Sequence, residues 1–472
     1  MSDSRPSLQE IASCVSGYDP NALPVAQAAE FIARMVSPVA GIEVLAIRAA
    51  LGRVLARDVV SASNVPAADN SAMDGFALRG SDLAEAGDTV LQSVGTGLAG
   101  QPFAAAVEAG HCLRIMTGAV MPPGLDTVVP QELVRVEGDR IVVPAGAVRP
   151  GDNRRRAGED LAIGDVALQA GRILRPADIG LLASLGDAEV PVRRRLRVAF
   201  FSTGDELRSL GEPLEPGCVY DSNRYTLWSM LQRLGVDALD MGVVRDDPAA
   251  LEAAFRLAAA STDAIITSGG VSVGEADHTK QVMARVGDVL FWRIAMRPGR
   301  PMAIGRIATG ATGGAGAPDS ARAAGRASVA GSASTTAVAS ASGSASAPDH
   351  ASAPGGAVLF GLPGNPVAVM VTFYALVRDA LLAMSGATAE PAPRLLAASA
   401  SAIRKRPGRT EYQRGVLSRA ADGSVRVALT GAQGSGILRS MSQANCLVVL
   451  GHEQGDVAAG GAVEVLPFEG LV

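Results

Sequence analysis

Residues 263–280 constrain the fold more than any other stretch of this chain. A short apolar run of strand type, Ala264-Ile265-Ile266, ends in Thr267-Ser268-Gly269-Gly270-Val271-Ser272-Val273-Gly274 and passes Glu275, Asp277 and His278 before a helical pattern begins. A Ser/Gly-rich loop between strand and helix presents backbone N–H groups with no Cβ in the way, so an anion can approach closely. Carboxylates beside such a cradle suggest a phosphate held together with a divalent cation. Taken alone, the same loop reads equally well as an ordinary strand-to-helix turn.

The surrounding rhythm removes that ambiguity. From Leu196 onward, strand, loop and helix alternate. A buried-type strand at residues 196–201 leads into Ser202-Thr203-Gly204-Asp205-Glu206-Leu207, and a helix at residues 225–234 follows, with Ser222 or Asn223 as its N-cap. A strand at residues 237–244 ends in Arg245-Asp246-Asp247-Pro248 before a helix at residues 249–260. Later, Ala357-Val358-Leu359-Phe360 ends in Gly361-Leu362-Pro363-Gly364-Asn365-Pro366 before a helix at residues 367–384, with Asn365 as N-cap and Pro366 at the first helical position. Such alternation predicts a doubly wound parallel α/β sheet. Loops after its strands gather at one edge, where ligands bind. Thr203, Gly204, Asp205 and Glu206, the pair Asp246/Asp247, the loop from Ser268 to Asp277, and Pro363, Gly364 and Asn365 should therefore converge. An oxygen-rich set of this kind suits Mg²⁺, and no His/Cys cluster competes for a softer metal.

The rest of the chain reads differently. Residues 24–56 look helical: Ala26, Ala29, Ile32, Ala33 and Val36 share a face, and a second periodic segment spans residues 44–55. Residues 64–77 form an irregular loop dense in Asn, Asp and Ser. Residues 76–150 alternate in short β-like runs, and a helix is expected at residues 176–185. After residue 390 the pattern is again β. Residues 309–356 are almost entirely Ala, Ser, Gly and Thr, too poor in large apolar groups to offset their ordering entropy, and read as a disordered insertion.

Bulk properties exclude several classes. The net charge of -5 and pI near 5.6 argue against nucleic-acid and membrane-surface binding. Cys14, Cys112, Cys218 and Cys446 form no Cys-x-x-Cys pair, which disfavours a zinc site or a disulfide framework and fits a reducing compartment. The N-terminus lacks a signal-peptide core, and the longest apolar run, residues 367–377, is roughly half of what a membrane span needs. A cytoplasmic protein with no membrane or nucleic-acid partner is expected.

Several long stretches, in one order, resemble the molybdopterin molybdenumtransferase family (MoeA-type and gephyrin E-domain proteins). They include Asp69-Asn70-Ser71-Ala72-Met73-Asp74-Gly75-Phe76-Ala77, Arg114-Ile115-Met116-Thr117-Gly118-Ala119, Gly158-Glu159-Asp160, Ser202-Thr203-Gly204-Asp205-Glu206-Leu207, Tyr220-Asp221-Ser222-Asn223-Arg224, residues 267–280, Pro298-Gly299-Arg300-Pro301, residues 361–367 and Gln433-Gly434-Ser435-Gly436. The resemblance implies a flexible tail (1–20), a discontinuous helical linker domain (21–62 and 151–192), a β-rich distal domain (63–150), a molybdopterin-binding α/β domain (193–388) and a C-terminal β-barrel-like domain (389–472). It implies an elongated homodimer that inserts molybdate into adenylylated molybdopterin with Mg²⁺ and releases AMP. It also implies contact with molybdopterin adenylyltransferase and molybdoenzyme chaperones.

Roles follow from the resemblance. Thr203, Gly204, Asp205, Ser268, Gly269, Gly270, Ser272, Gly274, Pro363, Gly364, Asn365 and Pro366 would shape the ligand site, the Ser268 loop holding the terminal phosphate of the pterin. Glu206, Asp246 and Asp277 would bind Mg²⁺, with Asp247 an alternative to Asp246. Arg297 and Arg300 would attract molybdate, and Asp74, Thr117 and Asp160 would face the pocket of the partner chain. Arg297 and Arg300 stand where many relatives carry lysine, Ala368 replaces a common Ser, and His278 stands where an aromatic residue is common. Two other readings remain at this stage: a pterin-adenylylating enzyme, disfavoured by the flanking β-rich domains, and a non-catalytic scaffold, disfavoured by the intact acids. Deleting residues 310–354 should leave the melting temperature nearly unchanged; a large drop would show that the insertion is packed.

Overall fold

The computed structural model describes residues 7–271, 278–309, 356–388 and 391–469. The low-complexity stretch 310–355 and the site candidates Ser272, Gly274 and Asp277 lie outside the described residues. The chain forms two compact units, Met1–Gly41 with Arg194–Val472, and Ile42–Arg193.

The first unit is built on a six-stranded sheet in the order Asp237–Val244, Arg197–Thr203, Ala264–Ser268, Ala357–Leu362, Pro301–Ile307, Gly287–Arg293. The first four strands are parallel, as the alternation predicts. The last two pairings are antiparallel, Pro301–Ile307 running against both its neighbours, which corrects the expectation of a wholly parallel sheet. Only residues 294–300 join Gly287–Arg293 to Pro301–Ile307, and so short a link returns the chain antiparallel.

Both faces of the sheet are covered, which explains strands that are apolar at successive positions. Val198, Phe200, Ile266 and Phe360 pack with Leu227 and Leu231 of the helix Ser222–Arg233 and with the long helix beginning at Pro366. Ala199, Phe201, Ile265 and Leu359 face Leu251 and Phe255 of Pro248–Ser261 and Met283 of His278–Val286. The cap of Ser222–Arg233 is neither Ser222 nor Asn223: Asp221 is the N-cap, its carboxylate accepting from the Arg224 N–H. The helical stretch Pro366–Met384 runs 19 residues and is long and apolar enough to span a membrane, more than residues 367–377 suggested. Most of it is buried against the sheet, as a core helix is.

Residues 7–20 are not a loose tail. Ser7 and Glu10 form a capping box on the helix Leu8–Ser13, and Leu8, Ile11 and Val15 enter the first sheet's core. Ala28, Phe31, Ile32 and Met35 of the helix Val25–Met35 join the same core, so this helix belongs with the α/β unit. Phe31 meets the buried Trp292 edge-on at 5.0 Å, and the Trp292 indole N–H donates to the Tyr18 hydroxyl at 2.8 Å.

A five-stranded barrel completes this unit. Strand Thr410–Arg419 pairs with Val425–Leu429, and the order continues through Leu395–Ser399, Ala462–Pro467 and Cys446–Leu450 back to Thr410–Arg419. Closure leaves no free edge inside the ring. The short strand Met296–Arg297 adds to Thr410 and Glu411 from outside.

The second unit holds another six-stranded sheet, in the order Thr127–Pro130, Gly75–Leu78, His111–Ile115, Thr89–Gly97, Arg140–Val143, Arg135–Glu137. Beside it lie the helix Pro176–Leu185 and the strand pairs Ile42–Ala46 with Glu189–Arg193 and Val59–Val60 with Val166–Leu168. The helix expected at residues 44–55 is absent from that span. It is a strand end, a 3₁₀ turn at Ile47–Ala49, and then Gly52 at φ +73°. Pairing with the sequence-distant strand Glu189–Arg193 overrides a weak local period.

Phe31→Ala should destabilise the first unit by about 3–5 kcal/mol, the usual cost of emptying a packed aromatic site. Denaturant unfolding followed by Trp292 fluorescence measures it, and an unchanged midpoint would refute the packing of the N-terminal helices.

Candidate active site

The loops that follow the parallel strands open into one cavity of about 1330 Å³, contained in the first unit. Thr203, Gly204, Glu206, Asp246, Ser268, Gly269, Gly270, Pro363, Gly364, Asn365 and Pro366 line it from the sheet side. Arg297 and Arg300 stand at its mouth, and the barrel contributes Arg409, Gln433, Gly434, Ser435 and Gly436. The predicted convergence is therefore present. Among the described candidates Asp205 and Asp247 do not line the cavity; the Asp205 carboxylate accepts from the Asp246 N–H at 3.3 Å.

Local chemistry explains the loop shapes. Gly269 and Gly270 both have positive φ, +94° and +67°. A Cβ on Gly269 would lie 2.5 Å from the Thr203 carbonyl oxygen, and one on Gly270 2.5 Å from the Thr279 side chain. Only glycine allows this left-handed pair and the close approach of two loops, and such a turn directs backbone N–H groups to one side.

The two adjacent aspartates separate by role. Asp247 is the N-cap of Pro248–Ser261, accepting from the Ala250 N–H at 2.8 Å. Asp246 lines the cavity and accepts from the Thr279 hydroxyl at 3.3 Å. Glu206 folds back over Gly204, where a Cβ would come within 2.5 Å of Glu206 Oε2. Glu206 and Asp246 thus supply two carboxylates to the same space. Among the described residues no group of three His, Cys, Asp or Glu side chains fits a metal. The oxygen-only donors suit Mg²⁺ when a ligand's own oxygens complete the shell.

The opposite wall is cationic. The side chains of Arg297 and Arg300 are exposed and have no ion-pair partner among the described residues. Arg409 donates to Glu411 at 2.9 Å. Behind them the buried Arg414 guanidinium donates to the carbonyls of Ala432 (3.2 Å), Gln433 (3.2 Å) and Gly434 (3.0 Å), and to Ser440 Oγ (3.1 Å). Burial, together with the nearby Arg297 charge, lowers its pKa. It shapes the Gln433–Gly436 loop that lines the cavity.

Sequence reasoning missed Asp221 and Asn223 as lining residues, together with Arg409. Asp221 Oδ1 accepts from Ser202 Oγ at 3.0 Å and the Arg224 N–H at 3.2 Å. Asn223 Nδ2 donates to Ser268 Oγ at 2.7 Å and the Gly364 carbonyl at 2.6 Å. The signal was present, because Tyr220-Asp221-Ser222-Asn223-Arg224 is one of the family-like stretches, but it reads locally as helix capping.

In the second unit Asp74 and Thr117 come together as the sequence suggests. Asp74 Oδ1 accepts from the Thr117 hydroxyl and N–H, each at 2.7 Å. These hydrogen bonds, the hydroxyl's first, hold the Asp74 carboxyl below the usual carboxylate range. Asp160 lies in a separate turn, its N–H donating to the Val65 carbonyl at 3.1 Å. The free cysteines Cys112 and Cys446 are packing groups, their thiols pushed up to about 12 and about 11 by burial.

Fold and cavity together define a multidomain α/β protein with a cavity at the carboxyl edge of its sheet and accessory β domains, and three family models match in sequence: "MoeA N-terminal region (domain I and II)" over residues 23–186, "Probable molybdopterin binding domain" over residues 199–383, and "MoeA C-terminal region (domain IV)" over residues 397–468. The molybdopterin molybdenumtransferase of Haemophilus influenzae is 38% identical over 91% of this chain and 95% of its own length. That of Nostoc sp. is 33% identical over 90% and 88%. A crystal structure of the molybdopterin biosynthesis moeA protein from Pyrococcus horikoshii shares the fold, with a TM-score of 0.71 at 24% identity over 94% of this chain and all of that one. The chain belongs to the molybdopterin molybdenumtransferase (MoeA) family.

Thr117→Val should move the Asp74 titration upward, toward an ordinary carboxylate, since it removes the strongest hydrogen bond to the charged form. Carboxyl-carbon NMR against pH reads this directly. An unmoved Asp74 midpoint would mean that Thr117 does not hold its charge.

Proposed function

We propose that this chain is a molybdopterin molybdenumtransferase: it takes adenylylated molybdopterin and molybdate, inserts the metal at the pterin dithiolene and releases AMP. The observation that carries this reading is the cavity itself, in which a glycine-rich loop, two carboxylates and two arginines without an ion pair among the described residues meet. In this reading the loop at Ser268 and Gly270 holds the phosphate that links pterin and adenylate, while the Gly269 N–H ties that loop to the Leu362 carbonyl at 3.1 Å. The Asn365 and Pro366 helix start closes the neighbouring wall, and Arg297 and Arg300 draw the molybdate dianion to the mouth.

Mg²⁺ belongs to the proposal, with Glu206, Asp246 and Asp277 as its protein ligands. When bound, it would offset charge on the phosphates as the phosphoanhydride breaks. A water oxygen attacks one phosphorus of the P–O–P linkage and forms a new P–O bond as the bridging P–O bond breaks, so AMP leaves with one phosphate, the pterin keeps the other, and the water's protons pass to solvent. Glu206 and Asp246 orient the attacking oxygen, and the cradle holds the pterin phosphate in place. The proposal also places the protein in the cytoplasm as a homodimer, with Asp74, Thr117 and Asp160 acting on the site of the second copy. Adenylyltransferase and molybdoenzyme chaperones are its proposed partners.

Purified protein with adenylylated molybdopterin and Mg²⁺ should release AMP in a molybdate-dependent way. Asp246→Asn and Glu206→Gln should each lower that rate by about 10²-fold or more, as loss of preorganised electrostatic groups does. Arg297→Ala should raise the molybdate KM about tenfold with little effect on adenylylated-pterin binding, the scale of one charge-assisted hydrogen bond. Tight binding of the adenylylated pterin with no turnover in the parent protein would reject the transferase in favour of a carrier.

A further inference from the structure

Asn223 is a buried residue in the cavity lining and bridges two of its loops. Its amide nitrogen donates to Ser268 Oγ at 2.7 Å and to the Gly364 carbonyl at 2.6 Å. The carbonyl partner fixes the orientation of the amide, because a C=O can only accept. Nδ2 must therefore face Gly364, and the same NH₂ group presents its other proton to Ser268.

This has a consequence for Ser268. A hydroxyl has one proton to donate, and here its oxygen is already accepting. Among the described residues, Ser268 makes no other side-chain hydrogen bond, although it is buried and lines the cavity. The amide oxygen of Asn223 is also buried without a partner, so the ordering effect runs through its nitrogen alone.

We infer that Asn223 is a positioning residue that fixes the Ser268 hydroxyl as a hydrogen-bond donor toward an anionic oxygen, of phosphate type, bound in the cavity. Its second bond holds the Gly364 turn against the same loop, where the Gly269 N–H also donates to the Leu362 carbonyl at 3.1 Å. One amide thus sets both the direction of a donor and the separation of the two loops that flank it. The inference rests on the proposal that the Ser268 loop binds a phosphate, and extends it to a residue that need not touch the ligand.

The test uses the full chain, with equilibrium dialysis of adenylylated molybdopterin in the absence of molybdate. Ser268→Ala and Asn223→Ala should each weaken binding about tenfold, the value of one hydrogen bond to a charged group. The double variant should bind no more weakly than the worse single, because both substitutions remove one coupled interaction. Asn223→Asp, nearly isosteric, should bind more weakly than Asn223→Ala, since a carboxylate takes the Ser268 proton and adds negative charge beneath the anion. If Asn223→Ala is not recovered folded, Asn223→Asp against Ser268→Ala carries the comparison. Parent-like binding by either Asn223 variant, with or without a lower melting temperature, overturns the inference, as do single losses that multiply to about a hundredfold in the double variant. If the parent protein itself fails to bind the adenylylated pterin, the functional proposal falls first, and the inference with it.

Discussion

The register of the central strands hangs on one buried carboxylate. Asp263 receives both guanidinium nitrogens of Arg194, at 2.8 and 2.7 Å, and the Arg197 N–H at 2.9 Å. Its own N–H donates to the Arg197 carbonyl and its carbonyl accepts from the Val358 N–H, each at 2.9 Å. Three parallel strands are thus pinned at their amino ends by one residue. A buried ion pair of this kind is weak evidence for net stability, because desolvation offsets much of its attraction. Its effect here is geometric. A one-residue slip would exchange the faces on which Val198 and Ala199, or Ile265 and Ile266, lie, and both faces are filled. With the amino ends fixed, Thr203 and Ser268 reach the carboxyl edge together, and the cavity opens where they stop.

The charge pattern at that edge bears on the ligand proposed for the cavity. Glu206 and Asp246 would repel an anionic ligand; at roughly 4 Å and an effective dielectric near 20, each pair of unit charges costs about 4 kcal/mol. A backbone cradle cannot offset two such terms. A divalent cation between carboxylates and phosphate turns the repulsion into attraction, which is the physical case for Mg²⁺ on this side. The other wall needs no metal. Arg297 and Arg300 face the space directly, while Arg414 spends its donors on carbonyls and shapes the loop beside them.

Much of this was legible in the sequence because it is locally encoded. Strands such as Val425–Leu429 and Cys446–Leu450 appear where apolar alternation and flanking turns place them. Pro366 behind Asn365 marks a helix start, and the four loops after the parallel strands mark one sheet edge. What escaped depends on distant partners. Residues 8–20 look like a tail until Trp292 and Phe31 give Leu8, Ile11 and Tyr18 something to pack on. Residues 44–55 suggest a helix until the strand Glu189–Arg193 claims their edge. Asp221, Ser222 and Asn223 all suit a helix cap; that Asp221 takes the cap while Asn223 crosses to Ser268 and Gly364 is tertiary information.

The N-terminal segment bears on the cavity as well as on the core. Leu23 pairs with Ile294, its N–H donating to the Arg293 carbonyl at 3.2 Å and its carbonyl accepting from the Ala295 N–H at 2.8 Å. On the other edge of the same short stretch, the Thr410 N–H donates to the Ala295 carbonyl, and Arg297 lies opposite Glu411. The backbone that carries Arg297 is therefore stitched on one side to the N-terminal segment and on the other to the barrel. Gly299, at φ +99°, lies so close to the helix that a Cβ there would be 2.3 Å from Thr372 Oγ1. The Arg297 side chain is exposed and has no ion pair among the described residues. A planar guanidinium fork can offer two donors to one oxyanion at once, which a lysine ammonium cannot. Arginine at this rim therefore keeps a lysine's charge and adds a fork, on a backbone held by residues from both ends of the chain.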